Sequence, residues 1–255
     1  MPTLSLDQFQ YQPHKVKTGT VYQYIKSNID GSYPARVYIR MMDEEHLDVW
    51  KFEAHNADAA HVTAHMDWHM FSADQAASWT VTEDGQSRPQ AKLTLSPADD
   101  LFQIHWRDRV DELRIGHYPV HVYNFDFISL NVALRHWIRP EGEVTFGVVQ
   151  PNFDPEPDSL LKYEGLVTLN YICDEEHQNQ TCRRYEIGGV GLRNNTGTIW
   201  VNRVTEYIED MEIPVADNPD WDNFKFQLVS VDIMDEQSWN QFWGNEVRKL
   251  NPIQH

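Results

Sequence analysis

Residues 61 to 70 place polar side chains at every second position, which is the spacing of one face of a β-strand. His61, His65, Asp67 and His69 share that face, and apolar residues occupy the other. Imidazole binds metal ions and titrates near neutral pH, and a neighbouring carboxylate can orient it as a general base. The pattern therefore predicts either a chemical site in which Asp67 orients His65 or His69, or a polar face that is exposed to solvent.

Distance limits a metal site on this strand. Side chains on one face repeat every ~6.6 Å, so His61 and His69 lie roughly 26 Å apart and cannot share an ion. A catalytic zinc ion normally has three protein ligands, and the third would have to come from another strand, with His55 and His105 as candidates. We therefore expect no metal, and a solvated face is the simpler interpretation because antiparallel sheets commonly have one.

The composition is acidic and rich in aromatic residues. The 255 residues include 21 Lys and Arg against 39 Asp and Glu, for a formal net charge of −18, with 9 Trp, 11 Tyr and 11 Phe. Such an excess of negative charge disfavours nucleic acid and anionic membrane surfaces as partners. Large aromatic side chains supply buried area in β-rich cores or line pockets for apolar ligands.

Two further features bear on the compartment. No run approaches the ~20 apolar residues of a membrane-spanning helix, and the first residues lack the basic start and apolar stretch of a signal peptide, so we expect a cytoplasmic protein. Cys173 and Cys182 flank a polar segment with the spacing of two hairpin arms. We favour two structural thiols over a disulfide or a metal site that would include His177.

Turn residues separate short apolar-rich segments along most of the chain. This spacing predicts a mainly β fold, an antiparallel meander that forms a closed or half-open barrel. The length fits a single domain over residues 1 to 255, and a proline-rich stretch near 150–158 is a candidate subdivision. We predict a hairpin over residues 21–42 and strands at 47–54, 60–71, 77–83, 90–95, 101–106, 163–173, 182–188, 197–203, 206–213 and 224–233.

Helical spacing occurs in two places. A short helix is predicted near 126–138, with Asp126 as its N-cap and its end near Pro140. A C-terminal helix is predicted near 236–249, capped by Asp235. We interpret its apolar stripe as core packing; the stripe consists of Trp239, Phe242, Trp243 and Val247.

Four segments together resemble a known kind of domain: 21–31 (Val-Tyr-Gln-Tyr-Ile-Lys-Ser-Asn-Ile-Asp-Gly), 66–72 (Met-Asp-Trp-His-Met-Phe-Ser), 123–131 (Tyr-Asn-Phe-Asp-Phe-Ile-Ser-Leu-Asn) and 184–189 (Arg-Tyr-Glu-Ile-Gly-Gly). The chain is similar to uncharacterised bacterial domains with an open antiparallel barrel, in the outline of lipoprotein-carrier and lipocalin-like folds. The resemblance covers most of the chain. It implies the fold more than the function, because one fold hosts many functions.

The sequence contains no familiar hydrolase or metalloprotease motif, and this leaves three functional hypotheses. The first is a protein that binds a small, largely apolar molecule in an aromatic-lined cavity without a cofactor, with Trp68, Trp200 and Tyr123 as candidate ligand-binding residues. The alternative is an enzyme that uses His65, Asp67 and His69 for general acid/base or metal-assisted chemistry. The third is an acidic interaction protein, and the oligomeric state is left open.

Overall fold

The chain is built mainly from β-strands, and the computed structural model describes residues 3–53, 56–152 and 158–250. In chain order the strands are β1 (Thr3–Leu4), β2 (Thr20–Ser27), β3 (Ala35–Met41), β4 (His46–Glu53), β5 (Ala59–Asp67), β6 (Ser72–Val81), β7 (Ser87–Ser96), β8 (Leu101–Trp106), β9 (Arg109–Arg114), β10 (His117–Tyr118), β11 (Val120–Val122), β12 (Glu143–Pro151), β13 (Leu161–His177), β14 (Gln180–Gly188), β15 (Thr196–Asn202), β16 (Ile208–Ile213) and β17 (Phe224–Ile233). The α-helices are α1 (Ile128–Ala133) and α2 (Glu236–Arg248).

Fifteen of the described strands form one sheet, in the order β11-β12-β13-β14-β15-β16-β17-β2-β3-β4-β5-β6-β7-β8-β9. Neighbouring strands are antiparallel, except that β11 runs parallel to β12. The sheet is not closed, because β9 and β11 are its two edges. The predicted mainly β fold with a half-open barrel is confirmed.

The two faces of the curved sheet pack against different partners. On β4, Val49 belongs to the large core inside the barrel, while Trp50 lies on the outer face in a separate apolar cluster with α2. This division follows from the two-residue period of a strand, which sends alternate side chains to opposite faces. The interior of the barrel and the underside of α2 are therefore two separate apolar compartments.

Helix α2 covers part of the outer face, as its sequence predicts. The Asp235 carboxylate accepts a hydrogen bond from the Ser238 backbone N–H at 2.7 Å, so the predicted cap is confirmed. Trp239 and Val247 are buried against the sheet, and Phe242 and Trp243 pack with them. This confirms the stripe as core packing. Among the described residues, no helix is both long enough and apolar enough to cross a membrane.

The first helix is shorter than predicted, and its predicted cap is wrong. Helix α1 continues for one 3₁₀ turn to His136 and ends before Pro140, but Asp126 does not cap it. The N-cap position is Phe127, which has φ of 50° and no side-chain cap. The Asp126 carboxylate instead pairs with Lys26 on β2 and Lys51 on β4, and that pairing cannot be inferred from local sequence.

Strand β5 ends earlier than predicted. It stops at Asp67, whose side chain accepts a hydrogen bond from the His69 backbone N–H at 2.7 Å. Such an aspartate turn replaces the next ladder hydrogen bonds and breaks the alternation. The predicted strand over 60–71 is therefore wrong at its end, and His69 does not share the face that carries His61 and His65.

The two cysteines lie on the arms of a hairpin, as the spacing predicts. Both are free thiols, since Cys182 is opposite Glu175 on β13, and Cys173 is opposite Arg184 on β14. The tight turn between the arms has Gln178 at φ of 49° and Asn179 at 64°. This register keeps the two sulfur atoms apart.

Candidate functional site

A cavity of about 390 Å³ lies inside the open barrel, in the size range typical of small-molecule sites. It separates two parts of the barrel core, one containing Val49 and Ile128, the other containing Ile104 and Val122. Its lining is mainly apolar. The lining residues are Val49, Lys51, Ala60, Val62, Ala76, Ala77, Ser78, Trp79, Thr80, Gln90, Ala91, Leu93, Ile104, Trp106, Val122, Asn124, Phe125, Asp126, Ile128, Pro151, Asn152 and Leu160.

The cavity exists where small side chains lie on adjacent strands. Ala76 and Ser78 on β6 and Ala91 on β7 leave space that larger side chains would fill. The pairing of β6 with β7 also shifts between Ser78 and Trp79, which leaves Gln90 of β7 as an extra residue opposite them. Such β-bulges re-aim side chains, and Gln90 lines the cavity.

A turn between β11 and α1 forms another wall. Asn124, Phe125 and Asp126 line the cavity consecutively. Asp126 has φ of 51° and Phe127 has φ of 50°, a left-handed conformation that is costly for a residue such as phenylalanine. This strained backbone holds the Asp126 carboxylate at the cavity wall.

The polar end of the cavity is an ion pair between two lining residues. On β4, Lys51 falls on the same face as Leu47 and Val49, at a position where the barrel interior otherwise takes apolar side chains. Its ammonium lies 2.8 Å from Asp126 Oδ2, and the lysine side chain is 15% exposed. A nearly dry charge pair therefore lies against an otherwise mainly apolar surface.

Two further charges extend this pair into the protein. Lys26 Nζ on β2 lies 2.8 Å from Asp126 Oδ1 and 2.6 Å from Asp217 Oδ2, and all three side chains are buried. The loop between β16 and β17 supplies Asp217 together with Trp221, whose ring centroid is 4.0 Å from Lys26 Nζ. We call Lys26, Lys51, Asp126 and Asp217 the interior charge cluster.

Burial and charge act in opposite directions on this cluster. Burial would raise the pKa of Asp126, but the positive charges of Lys26 and Lys51 hold it below its usual value. Burial would lower the pKa of Lys51, yet Asp126 and Asp217 raise it above its usual value. For Asp217 burial prevails over Lys26 and raises the pKa to about 6. The Lys51–Asp126 pair is thus ionised, and Asp217 is the member that most readily takes up a proton.

The histidine face lies on the other side of the sheet from this cavity. Val62 lines the cavity, so its neighbour His61 is directed outward, where its ring stacks on Trp50 with centroids 4.3 Å apart. His61 Nε2 also lies 2.6 Å from Asp48 Oδ1, and Trp239 Nε1 donates to Asp48 Oδ2 at 2.6 Å. His61 therefore belongs to the packing between the sheet and α2.

The predicted catalytic group is only partly brought together. His65 Nδ1 lies 2.6 Å from Asp74 Oδ1 in an outer groove of about 180 Å³. Partial burial lowers the pKa of His65, but Asp74 together with Glu45 raises it overall. Asp67 closes the turn after β5 and His69 is exposed there. A role of His65, Asp67 and His69 in catalysis stays a prediction. The carboxylate that would orient His65 is Asp74.

The candidate metal ligands do not come together in the described part of the chain. No group of three His, Cys, Asp or Glu residues is arranged to hold an ion there. His105 is on β8, hydrogen-bonded to Gln103 at the surface, and His55 lies outside the described residues. His177 stacks on Trp200, with ring centroids 4.2 Å apart, and lies 3.1 Å from Asp210 Oδ2.

The three predicted ligand-binding aromatic residues are absent from the lining of the large cavity. Trp68 is buried in the core, where its indole N–H donates to the Glu44 carbonyl at 2.8 Å. Tyr123 is buried and donates to the Val215 carbonyl at 2.5 Å. Trp200 is half-buried and donates to Glu175 Oε1 at 2.7 Å. The polar group of each side chain therefore already has a protein partner. Ligand contact by these residues stays a prediction.

Comparisons with known proteins give only a distant likeness to solved structures. No family model matches the sequence, and no curated protein matches it. Among solved structures, a putative outer membrane lipoprotein-sorting protein domain from Vibrio parahaemolyticus matches 90% of this chain and 91% of its own, at 9% sequence identity and a TM-score of 0.31. A likeness this distant carries no argument about fold or function.

Proposed function

We propose that this protein binds a small, largely apolar molecule in the cavity inside its open barrel. The observation that carries the proposal is the cavity of about 390 Å³, with its mainly apolar lining and a single ion pair at one end. Ligand sites commonly combine apolar walls with a few polar groups that fix orientation. The cavity has this composition.

Close packing is the normal state of a protein interior, and this argues that the space is functional. Core voids forfeit dispersion contacts on their walls, so natural proteins keep them few and small. Here Ala76 and Ala91 maintain the void where larger side chains would fit. A bound apolar molecule would restore the missing contacts and exclude water from Leu93, Ile104 and Trp106.

The test is a titration with N-phenyl-1-naphthylamine, an uncharged apolar dye that fluoresces when it leaves water. We expect saturable binding of one dye per chain. The double variant Ala76→Leu/Ala91→Leu fills the cavity and should weaken binding about tenfold or more. The added side chains occupy the space of the dye, so the dye buries less apolar surface against the protein. Since filling a real void does not overpack a core, the variant should remain at least as stable as the wild type.

A control is Ala98→Leu, which makes one substitution of the same kind at an exposed turn outside the cavity. It should bind the dye like the wild type. Absence of saturable binding to the wild type would overturn the proposal. Equal binding by the filled variant and the wild type would also overturn it, since the dye would then bind elsewhere.

A further inference from the structure

Resting on the proposed function, we infer that the cavity selects apolar molecules that carry one negatively charged group, and that Lys51 binds this group. The juxtaposition behind the inference is a lysine ammonium at the wall of an apolar cavity. Lys51 is the basic residue among the described lining residues, and its side chain is 15% exposed. A ligand that fills the cavity therefore meets this cation.

The hydrogen-bonding capacity of Lys51 leaves room for a ligand. An ammonium has three N–H donors, and Asp126 Oδ2 accepts from one of them at 2.8 Å. Buried cations require acceptors, and apolar walls offer none. An anionic oxygen that enters the cavity would supply the missing acceptor through a charge-assisted hydrogen bond. Among the described residues, Lys51 therefore has hydrogen-bonding capacity that an anionic ligand can use.

The carboxylate beside Lys51 does not favour a cationic ligand. Asp126 is 1% exposed, and its two oxygens face Lys51 Nζ and Lys26 Nζ, each at 2.8 Å. A cation that approached Asp126 would meet these two like charges at close range, which is unfavourable in a poorly solvated site. The accessible charge of the cavity is therefore that of Lys51.

The rest of the interior charge cluster accommodates an added anion. Two lysines and two aspartates give no formal net charge, so a bound anion would leave one negative charge in excess. Asp217 is 2.6 Å from Lys26 and has its pKa raised to about 6 by burial, so it can take up a proton at small cost. The balance is then restored without moving a buried side chain.

A second donor lies on the same wall. Asn124 lines the cavity two residues before Asp126, on the turn that carries the strained backbone. Its side-chain amide has two N–H donors, which suit a carboxylate or sulfonate with more than one oxygen. Lys51 and Asn124 thus define the polar end of the ligand, and the aromatic and aliphatic walls define its apolar body.

A matched pair of dyes tests the inference. The compound 8-anilinonaphthalene-1-sulfonate has the same ring system as N-phenyl-1-naphthylamine and adds one sulfonate. We expect the wild type to bind the sulfonate about tenfold more tightly, the gain expected from one hydrogen bond to a charged group. The variant Lys51→Met keeps the length of the side chain and removes its charge, so the ratio of the two affinities, sulfonate dye to neutral dye, should fall to about one.

The control variant is Lys92→Met, which removes a lysine from the exposed outer face of β7. It should keep the preference for the sulfonate. Lys51→Arg retains the positive charge and should keep the preference in part. Displacement of the neutral dye from the wild type adds a test that requires no variant: decanoate should displace it at lower concentration than decan-1-ol or decyltrimethylammonium.

The outcomes separate the two proposals. If neither dye binds saturably, the proposed function itself fails. If both dyes bind the wild type equally, or if decyltrimethylammonium displaces better than decanoate, the cavity binds apolar molecules without selecting an anion and the inference about Lys51 is overturned. Should Lys51→Met fail to fold, the wild-type dye pair and the three displacers still decide the question.

Discussion

Lys51 Nζ lies 2.8 Å from Asp126 Oδ2 across the barrel interior, one on a central strand and the other on the turn that leads into α1. The same carboxylate is 2.8 Å from Lys26 on β2 through its other oxygen. Asp126 thereby connects two strands and the helix turn at the wall of the cavity. A single carboxylate between two cations makes both the position of that turn and the charge of the cavity depend on one side chain.

We predict that Asp126→Asn lowers the free energy of unfolding by about 3–5 kcal/mol, the usual effect of removing one partner from a buried ion pair. The loss arises because Lys51 and Lys26 keep their charges while the shared anion is removed. Urea denaturation at pH 7 measures it. The matched control is Glu186→Gln at an exposed position on β14, which should change the free energy of unfolding by less than about 0.5 kcal/mol. Equal effects of the two variants would mean that the cluster is hydrated.

Local patterns explain what the sequence predicted well. The alternation in β5 and the cap at Asp235 involve residues close together in the chain, so the strand and the start of α2 follow from short-range rules. The face of β5 was also predictable, since its apolar side packs inward. What alternation leaves open is which polar groups meet across the fold, and His61 illustrates this by pairing with Asp48 on a neighbouring strand.

Long-range pairing explains what the sequence did not predict. Lys26 and Asp217 are separated by 191 positions, and nothing local links them. Asp126 has the residue type and place of a helix cap, but its pairing with lysines from two strands determines its conformation. One signal was present: Lys26 and Lys51 occupy positions on the apolar faces of β2 and β4. The cavity had no such signal beyond its alanines, because volume depends on all its walls.

A second prediction concerns acid. Burial lowers the pKa of His121 to about 3, and burial together with Arg135 lowers that of His136 to about 3. Between these values and the unfolded value of ~6.5, the unfolded chain binds protons that the folded chain does not, so stability falls as pH falls. Each histidine contributes up to about 1.4 kcal/mol per pH unit in this window. Denaturation curves at several pH values between 7 and 5 measure the slope.

The variant His121→Gln should flatten that slope, because it removes one of the two groups that stay neutral in the fold. His105→Gln, at an exposed position on β8, is the control and should leave the slope unchanged. His65 acts in the opposite sense, since its raised pKa gives stability at low pH that is lost as pH rises through its folded value. If the free energy of unfolding of the wild type did not change between pH 7 and 5, the burial argument would be contradicted.

Packing of α2 on the sheet gives a third prediction. Trp239 is buried and its indole N–H donates to Asp48 Oδ2 at 2.6 Å. We expect Trp239→Ala to lower the free energy of unfolding by about 3–5 kcal/mol, because it leaves a void under the helix. Trp239→Phe keeps most of the ring and loses the hydrogen bond to a carboxylate, so its effect should be smaller, about 1–3 kcal/mol.

The control for this helix is Gln237→Ala, an exposed position in the first turn of α2, which should have little effect on urea denaturation. The order of effects carries the test. If Trp239→Phe were as harmful as Trp239→Ala, the hydrogen bond to Asp48 rather than the ring volume would hold the helix in place. If neither variant differed from Gln237→Ala, α2 would not contribute to the stability of the barrel.

The last prediction concerns the two thiols of the hairpin. Cys182 is buried, and burial together with Glu209 raises its pKa to about 11, so little of the reactive thiolate forms there. Cys173 is half-buried on the neighbouring strand and is more accessible. We expect iodoacetamide at pH 8 to modify the folded protein once, at Cys173, and to modify both cysteines in urea, as peptide mass spectrometry would show.

Cys173→Ser should therefore abolish native labelling, while Cys182→Ser should leave it unchanged. Native labelling at Cys182, or two unreactive cysteines that react only after reduction, would contradict the register in which Cys182 faces Glu175 and Cys173 faces Arg184.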